Sequence, residues 1–260
     1  MLTIPITAGC YATAPGASKK LCTLLPTPAF YLQALWTVSR SANMAKKGIY
    51  TDGDWAKSSL HIIRALERCG CTFDIRGMEA LCNNPQPCVF IANHMSTLET
   101  FVLPTLIAPY QRVTFVVKKS LVEYPLFKHV MRSRNPVLVN RTNAREDLKA
   151  VLTQGVERLH SGVSIVVFPQ TTRTTGFSPE NFNSIGLKLA KKAGVPVVPL
   201  ALKTDAWGNG CCLKDFGRIA PERTIHFEFG PYIAADKLDK DTHTDITDFI
   251  QNRMHEWEQA

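Results

Sequence analysis

The chain has 260 residues, 45% hydrophobic and 20% charged, with a formal net charge of +8 at pH 7. That length and composition fit one folded globular domain with room for a substantial core. The basic excess admits nucleic acid, an anionic membrane surface or phosphorylated substrates as partners, but the cations sit in scattered pairs (Lys46-Lys47, Lys118-Lys119, Lys191-Lys192) with no nucleic-acid-binding motif, so no nucleic-acid partner is expected.

Residues 1–27 carry Pro, Gly and Thr without a period and read as a loosely ordered arm. Thr7-Ala8-Gly9-Cys10 lacks the charged leader and apolar segment of a lipoprotein cleavage site. From Pro28 the pattern turns helical, and residues 28–70 predict an N-terminal helical hairpin. In its first helix Tyr31, Ala34, Leu35, Val38, Ala42 and Ala45 recur at helical spacing up to Gly48. The second has Asp52 or Asp54 as its cap, Trp55, Ser59, Ile62, Ile63 and Leu66 as its buried stripe, and Gly70 as its stop. Phe30, Tyr31 and Trp36, followed by Lys46 and Lys47, make the first helix a candidate membrane-surface element. The competing expectation is that these aromatics simply pack on the domain.

Residues 71–260 alternate between strand and helix patterns. Strands are predicted at 72–76, 88–92, 113–117, 136–140, 163–168, 195–202 and 223–229, and helices near 98–106, 121–132, 143–160 and 183–193. Asn143 caps the third of these helices, with Glu146 three residues on. A last amphipathic helix carries Ile246, Phe249, Ile250, Met254 and Trp257. The fold class is therefore α/β: a central mostly parallel or mixed sheet wrapped by helices, preceded by the hairpin. The apolar stretch from Phe101 to Tyr110 is short and broken by Pro104 and Pro109, so a lipid substrate would be approached from the side of a membrane. The eight cysteines, including Cys69-Gly70-Cys71 and Cys211-Cys212, lack metal-ligand spacing and read as reduced thiols.

Chemistry concentrates where the predicted strands end. Asn93-His94-Met95-Ser96-Thr97-Leu98-Glu99 follows the apolar run Cys88 to Ala92 and sets a histidine and a carboxylate five positions apart. An imidazole can take a proton from an alcohol while a carboxylate fixes its tautomer and steadies the positive ring. Glu99 could equally be a solvated acid favoured by a helix dipole. Ser96 could be a nucleophile, although no Gly-x-Ser-x-Gly elbow surrounds it. Three further blocks follow: Leu138-Val139-Asn140-Arg141, Phe168-Pro169-Gln170-Thr171-Thr172-Arg173, and Val195-Pro196-Val197-Val198-Pro199. In this order the four blocks resemble the glycerolipid acyltransferase family, over about residues 73 to 232.

That resemblance implies His94 as general base toward the free hydroxyl of a lysophospholipid, most simply 1-acylglycerol-3-phosphate, with Glu99 orienting it. It places Lys119, Arg141, Gln170, Thr172 and Arg173 on the substrate side, with the guanidinium groups on phosphate. It implies acyl-CoA or acyl-acyl-carrier-protein as co-substrate, no metal or bound cofactor, and a cytoplasmic protein peripheral on the inner face of an anionic membrane. Gln170 and Thr171 stand where the family has Glu and Gly. These departures keep open another acceptor, such as a lyso-aminolipid, and a catalytically silent lipid-binding protein. The fourth block is either a cleft wall or an ordinary core strand.

Overall fold

The computed structural model describes residues 4–125, 127–170, 172–210 and 213–259, so Thr171, Cys211 and Cys212 lie outside the described residues. Eight strands form one sheet: β1 (Tyr11–Ala12), β2 (Phe73–Arg76), β3 (Val89–Ala92), β4 (Val113–Lys118), β5 (Val137–Val139), β6 (Ser164–Val167), β7 (Val197–Lys203) and β8 (Ile225–Phe229). Their spatial order is β1-β2-β8-β7-β3-β6-β4-β5. β1 runs antiparallel to β2 and β7 antiparallel to β8; the other pairs are parallel. The sheet is thus mixed and mostly parallel.

The central strands β3 and β6 are buried along their whole length. Alternate side chains divide between two apolar clusters, as a strand covered on both faces requires. Phe90, Ala92 and Val166 face one cluster; Val89, Ile91, Ile165 and Val167 face the other. Helices α2 (Pro26–Lys46), α3 (Asp52–Arg68) and α5 (Leu98–Ile107) cover the first face. Helices α7 (Ala144–His160), α8 (Ile185–Ala193) and α9 (Thr242–Gln259) cover the second. A Cβ at Gly186 would lie 2.9 Å from Ile91 Cγ1, so this glycine lets α8 lie close against β3. Short helices α1 (Lys20–Leu24), α4 (Glu79–Cys82) and α6 (Lys128–Ser133) complete the chain.

Local chemistry explains the element ends. Thr51 caps α3 in a capping box with Asp54, so the aspartate is the partner of the cap and not the cap itself. Helix α2 starts at Pro26, where a missing N–H costs nothing. The single helix expected over 121–132 is a 3-10 turn at Lys119–Val122 followed by α6. Pro125 separates them, since a residue before proline avoids the helical region. Asn143 caps α7 by accepting from the Arg145 and Glu146 N–H groups.

Within the N-terminal segment, β1 is tied to α3 by a buried polar knot. Tyr11 and Thr13 both donate to Glu67 Oε1, and Arg64 donates to Glu67 Oε2 at 2.7 Å. Burial and the Glu67 carboxylate push the Tyr11 phenol up to about 12. Among the described residues Cys10, Cys22, Cys69, Cys71, Cys82 and Cys88 are free thiols. No described helix is long and apolar enough to cross a membrane.

Candidate active site

The parallel strands β3, β6, β4 and β5 end on one edge of the sheet, and the first three sequence blocks follow β3, β5 and β6 there. From β3 the chain leaves through α5 toward β4; from β6 it leaves through α8 toward β7, on the other side of β3. Adjacent strands whose connections depart in opposite directions open a crevice at their carboxyl ends, where α/β sheets hold ligands. His94 lies on one lip of that crevice and Gln170 on the other.

His94 Nδ1 is hydrogen-bonded to Glu99 Oε2. The ring stacks on Phe168, with centroids 4.4 Å apart. Glu99, in the first turn of α5, is 0% exposed, so it is not a solvated helix-terminal acid. Its Oε1 accepts from the backbone N–H of Met95 at 2.7 Å, from that of Ser96 at 2.9 Å, and from the Thr204 hydroxyl. A carboxylate removed from water needs such donors. They also fix its second oxygen against Nδ1, which leaves Nε2 as the ring nitrogen free to take a proton.

The neighbours of His94 build the loop. Asn93 Nδ2 donates to Leu202 O at 2.7 Å and Leu202 N donates to Asn93 Oδ1 at 2.8 Å, so the side chain continues the β3–β7 ladder by one rung. Ser96 Oγ donates to Thr204 O at 3.0 Å and accepts from Leu98 N at 3.2 Å. That hydroxyl is buried and bonded to Thr204, and among the described residues no hydrogen bond joins it to His94. Gln170 is buried; its Oε1 accepts from His94 N at 2.6 Å and its Nε2 donates to Thr174 Oγ1 at 2.7 Å. Both ends of the amide are therefore held by protein.

Arg173 Nη2 donates to Asp215 Oδ1 at 2.7 Å, and the same oxygen accepts from Thr97 Oγ1 at 2.9 Å. Arg173 Nη1 is buried without a hydrogen-bond partner among the described residues. Arg141 has a left-handed backbone at φ +61°, a conformation that costs a β-carbon residue about 1–2 kcal/mol. Asp147, from the first turn of α7, stabilises it by accepting from Asn140 N at 2.7 Å and Arg141 N at 2.8 Å. Burial and then the Arg173 guanidinium lower the Arg141 pKa, although the residue as a whole keeps solvent exposure. The two guanidinium groups thus share one region. Lys119 opens the 3-10 turn after β4 and is exposed, as is Thr172.

Thr204 and Asp215 were not among the sequence-derived candidates. Both belong to the excursion between β7 and β8, which also sends Asn209 Nδ2 to Met95 O at 3.0 Å. Thr204 follows the strand of the fourth block, which was the one available signal; nothing local marks Asp215. Beside Thr97 and Asp215 lies an apolar cleft walled by Tyr31, Ala34, Val38, Phe101, Trp207 and Phe216. Tyr31 donates to Gly217 O at 2.7 Å, and burial, with the Asp215 charge adding to it, pushes its phenol up to about 12.

A family model described as Acyltransferase matches residues 73–203 of this chain. A 1-acyl-sn-glycerol-3-phosphate acyltransferase of Pseudomonas aeruginosa is 32% identical over 149 residues, 57% of this chain and 55% of that protein. A lyso-ornithine lipid O-acyltransferase of the same organism is 30% identical over 117 residues, 45% of this chain and 43% of that protein. The chain spans about half the length of the curated relatives it matches. The crystal structure of the 1-acyl-sn-glycerophosphate acyltransferase PlsC from Thermotoga maritima shares the fold, with a TM-score of 0.65 over 93% of this chain and 98% of that one at 20% identity. With the family model covering half of its length, the chain belongs to the Acyltransferase family.

Proposed function

We propose that this chain esterifies the free hydroxyl of a lysophospholipid, 1-acylglycerol-3-phosphate in the first instance, from an acyl thioester. The observation that carries the reading is the His94–Glu99 pair, with Glu99 fully buried and held by three further donors. His94 Nε2 removes the hydroxyl proton as the acceptor oxygen attacks the thioester carbonyl. The tetrahedral intermediate collapses and expels the thiolate, which takes the proton back from the imidazolium and leaves as the free thiol. Glu99 stabilises the ring while it is charged.

Arg173 and Arg141 are the groups for the acceptor phosphate. The two guanidiniums repel each other, the Asp215 carboxylate offsets only part of their charge, and Arg173 Nη1, which has no partner among the described residues, supplies donors for a phosphate. Lys119 and Thr172 contribute from the rim. Gln170 acts on the backbone of His94 and so positions the base. The apolar cleft beside Thr97 takes an acyl chain. A lyso-aminolipid acceptor is the second reading, favoured by Asp215: its carboxylate beside Arg173 offers a partner to an ammonium group.

Membrane access is through α1 and α2. Phe30 is fully buried and Tyr31 half-buried, both packed on Trp207, so only Trp36 of the three expected aromatics faces outward. Exposed Leu21, Leu24, Leu25, Leu32 and Leu35 join it to make an apolar ridge. The test of the reaction is purified protein with a panel of lysolipids and both thioester donors, read by mass spectrometry. A diacylated phosphate product, absent with His94→Ala, is expected; bound lysolipids that are never acylated would leave a silent binding protein.

A further inference from the structure

Between α2 and α3 a second, shallow groove is open to solvent. Its walls bring Arg40 of α2 against Lys57 and His61 of α3, with Trp36 at one end. Arg40 Cζ lies 5.7 Å from the centroid of the Trp36 ring. Among the described lining residues the one carboxylate, Asp54, is turned to the α3 cap, accepting from Thr51 N at 3.0 Å and Thr51 Oγ1 at 2.7 Å. The remaining wall is neutral: Thr37, Ser41, Met44, Tyr50 and Ser58. Among the described residues the lining thus brings three basic side chains together against the single charge of Asp54, which is turned to the α3 cap, so a positive excess remains. Burial, followed by the charges of Lys57, Arg40 and Arg68, lowers the His61 pKa.

Position along α2 points to the occupant. The outward face is apolar over its first half, at Leu32, Leu35 and Trp36, and basic beyond, at Arg40, Lys46 and Lys47. A helix of that polarity seats its apolar part among acyl chains and its cations at headgroup depth, with tryptophan at the boundary. The groove opens beside Trp36, on the headgroup side of that boundary.

We propose that the groove formed by Trp36, Arg40, Lys57 and His61 is a binding site for the phosphate of an anionic membrane phospholipid, separate from the acyl-transfer crevice. Arg40 and Lys57 hold the phosphate oxygens, and the bound anion favours the protonated form of His61. A dissolved phosphate would use the same cations but would gain nothing from the adjoining ridge, so the lipid is the occupant. The site stands whether or not the reaction assigned above is the right one.

The experiment has two arms and uses phosphatidylglycerol, which has no role as an acceptor in the reaction proposed above. In the first, binding to phosphatidylcholine vesicles with and without phosphatidylglycerol is measured for the full chain, for Arg40→Gln/Lys57→Gln, and for Lys188→Gln/Lys192→Gln, which removes two exposed charges from α8 in the other helical layer. The groove variant is expected to lose roughly 10- to 30-fold on anionic vesicles and nothing on neutral ones, and the α8 variant to lose far less. Equal losses by the two variants would mean diffuse charge attraction and would overturn the site. In the second arm the His61 imidazole of the unaltered chain is titrated by NMR with short-chain phosphatidylglycerol or inorganic phosphate. An upward shift of its midpoint with the lipid alone is expected. An unmoved midpoint removes the site, and an equal shift with inorganic phosphate makes it a site for free phosphate instead of lipid.

Discussion

At the scale of single residues, the arrangement around His94 fixes what each substitution should do. His94→Ala removes the base and should lower kcat by about 10²–10⁴ with the melting temperature retained; transfer within tenfold of the unaltered chain would remove His94 from the chemistry. Glu99→Gln keeps the shape but can present its amide NH₂ toward Nδ1, favouring the wrong tautomer, and should cost up to about 10⁴ in kcat. Gln170 bears on the same loop. Replacing it with Glu leaves two acceptors where Thr174 Oγ1 now receives an N–H and donates onward to Gly176 O at 2.7 Å. The expected result is a destabilisation of about 1–3 kcal/mol with the ratio of acylated products unchanged, read by thermal melts and a competition between acceptors. A changed ratio would restore a direct role for Gln170 in acceptor choice. Asp215→Asn keeps an oxygen for Thr97 and Arg173 but removes the charge, so the apparent KM for a phosphate acceptor should fall by about 5-fold. Under the lyso-aminolipid reading the KM for that acceptor rises instead, and the two can be compared in one assay. His94 and Glu99 were legible because both lie in one short stretch after a strand. Asp215 was not, because the fold brings it to Arg173 across 42 positions of sequence.

Elements were legible where a period ran long enough to see. Strands β3 to β7 fall on apolar runs and β2 and β8 on alternating ones, and α7 begins just after the asparagine whose side chain caps it. Strand β1 has two residues, too few for any alternation, and it exists because Tyr11 and Thr13 reach Glu67 on α3. Helix α2 misled in a more instructive way. Its inward stripe is Phe30, Ala34, Thr37, Val38 and Ser41, which includes two hydroxyl residues, while leucines and a tryptophan stand outside. A pattern reading assigns apolar side chains to the core; here the helix is apolar on both sides over its first half, as the proposed membrane-surface role requires. Leu32→Ser/Trp36→Ser should therefore weaken binding to neutral and anionic vesicles alike, by roughly 10-fold, with little change in melting temperature, since both side chains are exposed. A variant that melts much lower would show that these residues pack within the fold.

For the whole molecule, the sheet order joins the separate sequence signals. β3 and β6 are paired parallel neighbours in the sheet although their blocks are far apart in the chain, and their ends form the crevice, with α2 and the β7–β8 excursion walling its apolar side. Thr97 and Asp215 belong both to the cleft lining and to the Arg173 contact, whereas Leu35 lies on the outer ridge and also lines the cleft. The cleft thus connects the exposed apolar side of α2 with the polar crevice, and under the proposed reaction that is the path by which an acyl chain would reach His94 without leaving an apolar environment. Its walls combine large aromatic rings with smaller side chains, Ala34 and Val38 among them. Enlarging Ala34 to Met should shorten the preferred acyl chain, because the added atoms fill space that terminal methylenes would occupy, each worth about 0.8 kcal/mol when buried. The measurement is a competition between thioesters of graded length, with the melting temperature as a control for overpacking, which itself costs about 1–3 kcal/mol. If the variant remains folded and its length profile is unaltered, the cleft beside Thr97 does not hold the acyl chain, and the chain must reach His94 by another side of the crevice.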